Sequence, residues 1–215
     1  MKQELSKKTR TESDLIGSRE VPESALYGVQ TLRGIENFRI SKFHLNEYPL
    51  FIQALAITKM GAAIANRELD LLTKEQTDAI LKACKEILEG KYHDQFPVDM
   101  IQGGAGTTTN MNANEVIANR ALELMGHQRG EYQYCSPNDH VNRSQSTNDA
   151  YPTAIHIGLY YTHLKLVKHF ETLIQSFRKK GEEFANIIKM GRTQLEDAVP
   201  VSYTHLRAHE TLANL

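Results

Sequence analysis

The sequence predicts a mainly α-helical protein: a helix-rich N-terminal domain with short extended segments over residues 1–150, then the start of a long-helix bundle over 151–201. Two observations support this. Apolar residues recur at helical spacing in three segments of the first domain. The 152–189 segment has a longer helical pattern with two apolar stripes. A helix with two apolar faces packs against several neighbours, as in a bundle.

The first half of the chain divides into an irregular part and two helices. Residues 1–13 are charged, and we expect them to be loose. Glycine and proline interrupt residues 15–38, which should form turns and extended pieces. Helices should follow over 49–69 and 73–88. Cys84 lies on the inward face of the second helix, so we expect it in the core.

The second half alternates irregular segments with longer helices. Residues 93–102 lack a clear period and should form a loop, and 111–125 should form a third helix. The polar segment 130–143 should be irregular. The long helical pattern of 152–189 is broken at Gly191.

The composition excludes several classes of protein. Lys and Arg number 25 against 26 Asp and Glu, so there is no basic field that would favour nucleic acid. No apolar run approaches the ~20 residues that cross a bilayer, and the polar N-terminus lacks a signal peptide's apolar core. Two cysteines provide neither a disulfide framework nor a metal motif. We therefore expect a cytoplasmic protein that binds no membrane, metal or cofactor.

Short polar residues precede two of the helices. Residues 146–149 stand before the longest helical pattern, and the glycine-rich run 103–110 precedes another. Ser, Thr, Asn and Asp are ordinary helix caps. A helix N-terminus also favours anions, because its N–H groups are free and the helix dipole is positive there. Two such starts leave open either plain caps or a site for a ligand with two negative groups. A P-loop is excluded, because Thr107 and Thr108 stand where its Lys-Ser/Thr pair is required.

Three motifs resemble those of the aspartase/fumarase superfamily: Gly104-Ala-Gly-Thr-x-x-Asn-Met-Asn112, Ser144-Gln-Ser-Thr-Asn-Asp149 and Gly191-Arg-Thr-Gln-Leu195. The resemblance extends over about residues 14–201. Its details are more similar to members that act on L-aspartate than to fumarases, which typically carry His where Gln194 stands. The resemblance implies a small-molecule substrate and a homotetramer whose active sites are assembled from three subunits.

The resemblance implies reversible elimination of ammonia from L-aspartate to give fumarate. Removing a proton beside a carboxylate creates a dianionic, enolate-like group, which prepositioned neutral donors in a dry site can stabilise. Family position assigns this work to Thr107, Ser146, Thr147, Asn148 and Thr193. Gln194 would contact the substrate, and Arg33 is a further candidate for carboxylate binding.

The sequence departs from the superfamily in its last part. The superfamily's general base is a serine on a mobile downstream loop, and no such segment occurs here. Residues 202–215 do not resemble the expected continuation. We expect them to be a non-native tail of the kind that translated adaptor DNA produces; the alternative is a genuine short helix. The chain as written would then be an inactive N-terminal fragment. Two other functions stay open, a fumarate hydratase and a non-catalytic helical interaction module.

Overall fold

The computed structural model describes residues 8–193 and 195–201, and the chain forms two compact units, Met1–Tyr161 and Thr162–Leu215. Helices dominate the described residues, so the mainly α prediction is confirmed. In this part of the chain no helix combines the length and hydropathy of a membrane span. Both the tail at 202–215 and Gln194 lie outside the described residues.

The first unit begins with a hairpin that the sequence did not predict. Strands β1 (Thr9–Asp14) and β2 (Gly17–Pro22) pair antiparallel, so the expected loose conformation of residues 9–13 is wrong. The Arg10 guanidinium stabilises the hairpin base. It donates hydrogen bonds to four backbone carbonyl oxygens, those of Pro22 (3.0 Å), Glu23 (3.5 Å), Ala25 (2.7 Å) and Tyr27 (2.8 Å). The hairpin depends on these side chain–backbone hydrogen bonds, which produce no hydrophobic period in the sequence from which it could be predicted.

Helix α1 (Val29–Asn37) also lies where only turns and extended pieces were expected. Its N-terminus is capped from another helix. The buried Glu115 carboxylate accepts hydrogen bonds from the backbone N–H groups of Gly28 (2.8 Å), Gln30 (2.8 Å) and Thr31 (3.0 Å). Glu115 lies 84 residues after Thr31 in the sequence, so this cap cannot be recognised from the residues around α1.

Three helices enclose the core of the first unit: α2 (Pro49–Glu68), α3 (Lys74–Leu88) and α4 (Thr107–Leu124). The predicted α2 and α3 are confirmed to within one residue, whereas α4 begins four residues before its predicted start. The Thr73 hydroxyl caps α3 by accepting from the Gln76 N–H at 3.2 Å. Cys84 is fully buried, which raises the pKa of its thiol to about 12 and confirms the core prediction. The largest fully buried apolar side chains are Phe96, Leu45, Ile52, Leu55, Ile80, Ile87, Ile117 and Leu122.

The predicted loop 93–102 contains only a short 3₁₀ turn, His93–Gln95, and an isolated bridge between His44 and Asp99. Asp99 is buried and joins this loop to residues 40 and 41. Its carboxylate accepts from the backbone N–H groups of Ile40 (2.9 Å), Ser41 (2.7 Å) and Ile101 (2.7 Å) and from the Ser41 hydroxyl. Burial alone would raise the pKa of Asp99, but these hydrogen bonds outweigh it and hold the pKa far below its usual value.

The last helix of the first unit continues into the second. Helix α5 (Thr147–Glu183) begins five residues before the predicted helix and ends six residues before its predicted end. Strands β3 (Lys189–Thr193) and β4 (Glu196–Val201) then form an antiparallel hairpin, and the predicted break at Gly191 lies within β3, where the pairing is irregular. Most large apolar side chains in the middle of α5 are exposed: Leu159, Tyr160, Tyr161, Leu164, Leu166, Phe170, Leu173, Ile174 and Phe177.

The Asp99 contacts predict a pH-dependent loss of stability. At pH 7 we expect Asp99→Asn to raise the unfolding equilibrium constant on the order of tenfold or more, because several hydrogen bonds lose their charged acceptor. The folded pKa lies below the unfolded pKa of about 3.9. The stabilisation is therefore complete above about pH 4 and lost as the pH falls towards the folded pKa.

Urea unfolding of wild type and variant at pH 7 and pH 3 measures this effect, and the difference should shrink at pH 3. Asp94→Asn is the matched control, because Asp94 is exposed and, among residues 8–193 and 195–201, its carboxylate accepts only from the neighbouring Gln95 side chain. An equal effect of the two substitutions at pH 7 would contradict the role of Asp99.

Candidate active site

The glycine-rich run and the polar run, far apart in the sequence, meet in the first unit. Gly106 precedes α4 with a left-handed φ of 88°. A Cβ atom on Gly106 would lie 2.4 Å from the Tyr151 ring, so the turn packs against the first turn of α5 with no room for a side chain. The Tyr151 ring in turn packs edge-to-face on Phe51 of α2, with 5.7 Å between the ring centroids.

A hydrogen bond joins the first turns of α4 and α5. The buried Asn110 donates from Nδ2 to Thr147 Oγ1 at 3.2 Å and to Asn142 Oδ1 at 3.1 Å. Thr147 is half-buried, whereas Thr107, Ser146 and Asn148 are exposed. The first unit therefore collects four of the predicted donor residues at two adjoining helix starts.

The polar residues at the start of α5 are arranged both for helix capping and for binding an anion. The Ser146 hydroxyl accepts from the Asn148 N–H at 3.1 Å, so the cap prediction is confirmed. Within the described chain, however, the Thr147 N–H and the Asn148 side-chain amide have no hydrogen-bond partner, and the same holds for the Thr107 hydroxyl. These groups at a positive helix end remain able to donate to an anion.

The sequence interpretation missed Lys59, which lies fully buried behind this junction. Its ammonium Nζ donates to three side-chain amide oxygens: Asn110 Oδ1 at 2.7 Å, Gln145 Oε1 at 2.9 Å and Asn142 Oδ1 at 3.0 Å. Burial lowers the pKa of Lys59 to about 7. The available signal was its position: Lys59 stands four residues after Leu55, on the inward face of α2.

Arg33 lies elsewhere in the first unit, on α1. Its Nε and Nη2 atoms form a bidentate ion pair with Asp14, at 2.8 Å and 2.9 Å, which lowers the pKa of that carboxyl. The guanidinium lines a cavity of about 810 Å³ whose wall also includes Thr108 and Ser136. A ligand carboxylate at Arg33 would therefore have to compete with Asp14.

Two predicted site residues belong to the second unit. Thr193 is the last residue of β3, and Gln194 falls outside the described residues. Over residues 8–193 and 195–201, no three His, Cys, Asp or Glu side chains are grouped so that they could hold a metal ion.

Comparison with known proteins places the chain among lyases. A family model described as "Lyase" matches residues 17–214. The aspartate ammonia-lyase of Pseudomonas canavaninivorans is 58% identical over 193 residues, covering 90% of this chain and 41% of that protein. The protein of the same name from Escherichia coli strain K12 is 55% identical over 199 residues, covering 92% of this chain and 42% of its own length. The chain thus spans about two fifths of these relatives.

Two solved structures have a similar fold. A fumarate lyase:delta crystallin from Brucella melitensis, solved with cobalt, matches with a TM-score of 0.87 and 49% identity, covering 96% of this chain and 45% of that one. A class II fumarase from Schistosoma mansoni matches with a TM-score of 0.81 and 37% identity, covering 94% of this chain and 43% of that one.

The close approach of Gly106 to Tyr151 predicts a local effect on stability. An alanine at a left-handed position costs roughly 1–2 kcal/mol through backbone strain alone. Gly106→Ala should cost at least about 1 kcal/mol more than this, because its Cβ atom displaces the aromatic ring. Gly90→Ala is the matched control, since Gly90 has a φ of +89° and a Cβ atom there would have no neighbour within 4 Å. Urea unfolding measures both variants, and equal losses would exclude the proposed steric contact.

Proposed function

The chain belongs to the lyase family matched over residues 17–214, and we propose that it is part of an aspartate ammonia-lyase, which converts L-aspartate to fumarate and ammonia. One observation carries the proposal: the chain is 58% identical to a protein of that name over 90% of its own length. The meeting of two helix starts in the first unit supports it, because both ends of the substrate are anionic carboxylates.

The proposed mechanism depends on stabilising the charge that proton removal creates. When a base removes the proton next to one carboxylate, that group becomes a dianionic, enolate-like oxygen pair. We assign its stabilisation to Ser146, Thr147 and Asn148 at the start of α5 and to Thr107 at the start of α4. A preorganised neutral donor of this kind contributes about 3 kcal/mol to transition-state stabilisation.

The remaining assignments follow the resemblance. Thr193 is proposed as a further donor and Gln194 as a substrate contact. Arg33 is proposed as a carboxylate-binding residue, and the cavity beside it supports this role, although its guanidinium must exchange part of its contact with Asp14. Each assignment is a separate proposal that substitution in the full-length enzyme can test.

We also propose that the whole protein is a cytoplasmic homotetramer that acts on a small molecule. The exposed apolar side chains in the middle of α5 support assembly through this helix, because a surface that apolar is typical of an interface.

The function is tested by recovering the complete reading frame around this segment and assaying the expressed protein. Fumarate absorbance is followed with L-aspartate and L-malate in parallel. Activity on L-aspartate alone is the expected result. Activity on L-malate alone would instead identify a fumarase. Reaction with neither substrate, together with binding of a partner protein, would favour an interaction module.

Substituting Thr147 tests the assignment of the donors. In the full-length protein we expect Thr147→Ala to lower kcat on the order of 10²-fold, because one transition-state donor is lost. Thr73→Ala controls for general destabilisation: it removes the α3 cap at a cost of about 1 kcal/mol and should leave kcat within about twofold. Steady-state kinetics on L-aspartate distinguishes the two, and wild-type turnover by Thr147→Ala would disprove its assignment.

A further inference from the structure

Lys59 is buried without a carboxylate partner among the described residues. Its hydrogen bonds go instead to three neutral amide oxygens, from Asn110 on α4 and from Asn142 and Gln145 in the segment that precedes α5. An ammonium group has three protons and no acceptor, so each oxygen receives one proton. A neutral amine has only two protons, and its lone pair would face an oxygen. The geometry of these contacts therefore favours the charged form and opposes the lowering of the pKa that burial causes.

The Lys59 ammonium fixes the orientation of the Asn110 side chain. The oxygen and nitrogen of an asparagine amide are nearly equal in shape, and only hydrogen bonding decides which way round they lie. Because the ammonium can only donate, Asn110 Oδ1 faces Lys59 at 2.7 Å. Asn110 Nδ2 must then point the other way, where Thr147 Oγ1 lies at 3.2 Å.

This orientation determines what the Thr147 hydroxyl can do. A hydroxyl has one proton and two lone pairs. Since the amide nitrogen of Asn110 can only donate, Thr147 Oγ1 accepts from it, and the hydroxyl proton is left free to donate elsewhere. If the amide were reversed, its oxygen would compete for that proton.

Asn142 keeps the arrangement from relaxing. Its Oδ1 accepts from Lys59 Nζ at 3.0 Å and from two α4 amides, those of Asn110 and Asn114, both at 3.1 Å. Its own Nδ2 donates to the Gln145 backbone carbonyl oxygen at 3.0 Å. All three groups around Asn142 Oδ1 therefore donate to it. If the Asn110 amide were reversed, Asn110 Oδ1 would face Asn142 Oδ1 without a proton between them.

We propose that Lys59 and Asn110 are positioning residues that orient the Thr147 hydroxyl as a donor towards an anionic substrate group. The chain of donors runs from Lys59 to Asn110 and from Asn110 to Thr147, and it ends on the ligand. The inference rests on the proposed function, because it assigns the last donor to the carboxylate that becomes an enolate. No covalent bond changes in this step.

The sharpest test is Asn110→Asp in the full-length protein. The new carboxylate has the same shape and keeps its contact with Lys59. Its second oxygen faces Asn142 Oδ1 in place of the amide donor, so thermal unfolding verifies that the variant is folded before its kinetics are compared. It can no longer donate to Thr147, whose hydroxyl will instead donate to the carboxylate and be lost to the substrate. We expect kcat on L-aspartate to fall on the order of 10²-fold, as for the loss of a transition-state donor. Unchanged kcat in a folded variant would overturn the proposal.

The matched control is Asn114→Asp, one turn further along α4. Asn114 is also buried and donates to the same Asn142 oxygen, but in the described part of the chain no hydrogen bond joins it to Thr147. Its kcat per folded protein should stay within about threefold of wild type. A loss equal to that of Asn110→Asp would assign the effect to a disturbed core, and would overturn the orienting role.

A double-mutant cycle separates orientation from general damage. If Asn110 acts only through Thr147, then Asn110→Asp should have no further effect on kcat in a Thr147→Ala background. Additive losses would show that Asn110 acts by another route. Lys59→Met removes the ammonium that holds Asn110 Oδ1 and leaves the amide oriented by Asn142 alone, so it should lower kcat in the same non-additive way. This second variant keeps the test decisive if Asn110→Asp does not fold.

Binding of succinate, measured as a thermal-unfolding shift, distinguishes failure of this proposal from failure of the proposed function. Wild type that reacts with neither substrate would refute the lyase assignment. The orienting role still predicts that wild type binds succinate and that Asn110→Asp binds it at least about tenfold more weakly. Equal succinate binding by wild type and Asn110→Asp, with or without turnover, would refute the orienting role.

Discussion

The first unit depends on a buried ammonium group surrounded by amide oxygens. Moving a lysine ammonium out of water costs several kcal/mol, and in most proteins a carboxylate offsets this cost. Here Asn110, Asn142 and Gln145 offset it with three charge-assisted hydrogen bonds. Because these acceptors come from separate segments, they can all reach Lys59 only when the glycine-rich run and the start of α5 are together. The requirement to solvate one charge thus fixes the geometry of the junction.

Elsewhere in the unit the roles are reversed: buried carboxyl side chains accept hydrogen bonds from backbone N–H groups. Glu115 accepts from the backbone at the start of α1, and Asp99 accepts from residues 40, 41 and 101. In each case a carboxyl side chain on one segment accepts hydrogen bonds from the peptide groups of a distant segment, which could not remain buried without a partner. The segments that lead to the candidate site are therefore held by buried carboxyl groups as well as by apolar contacts.

This explains which parts of the fold the sequence predicted. Helix α2 was placed to within a residue because it is rich in apolar residues and Pro49 begins its first turn. Helix α3 was placed equally well because its apolar period is strong and its cap, formed by Thr73 and Gln76, is local. Helix α1 was missed because its cap is Glu115, far away in sequence. The start of α4 was placed late because its first turn, from Thr107 to Asn110, contains no apolar residue to extend the period. Polar contacts between distant residues leave no local pattern.

The same distinction applies to the candidate site. Residue types at two helix starts indicated the runs 103–110 and 146–149, because capping and anion binding require the same short polar side chains, and the family resemblance then selected Thr107, Ser146, Thr147 and Asn148 within them. Their residue types could not reveal which way the Thr147 hydroxyl donates. That direction depends on an amide at position 110, which can accept from an ammonium and donate to a hydroxyl at the same time. A carboxylate at position 110 would accept from both the Lys59 ammonium and the Thr147 hydroxyl, and the hydroxyl proton would then point away from the substrate. Only a neutral amide lets the buried ammonium orient the Thr147 hydroxyl as a donor to the substrate.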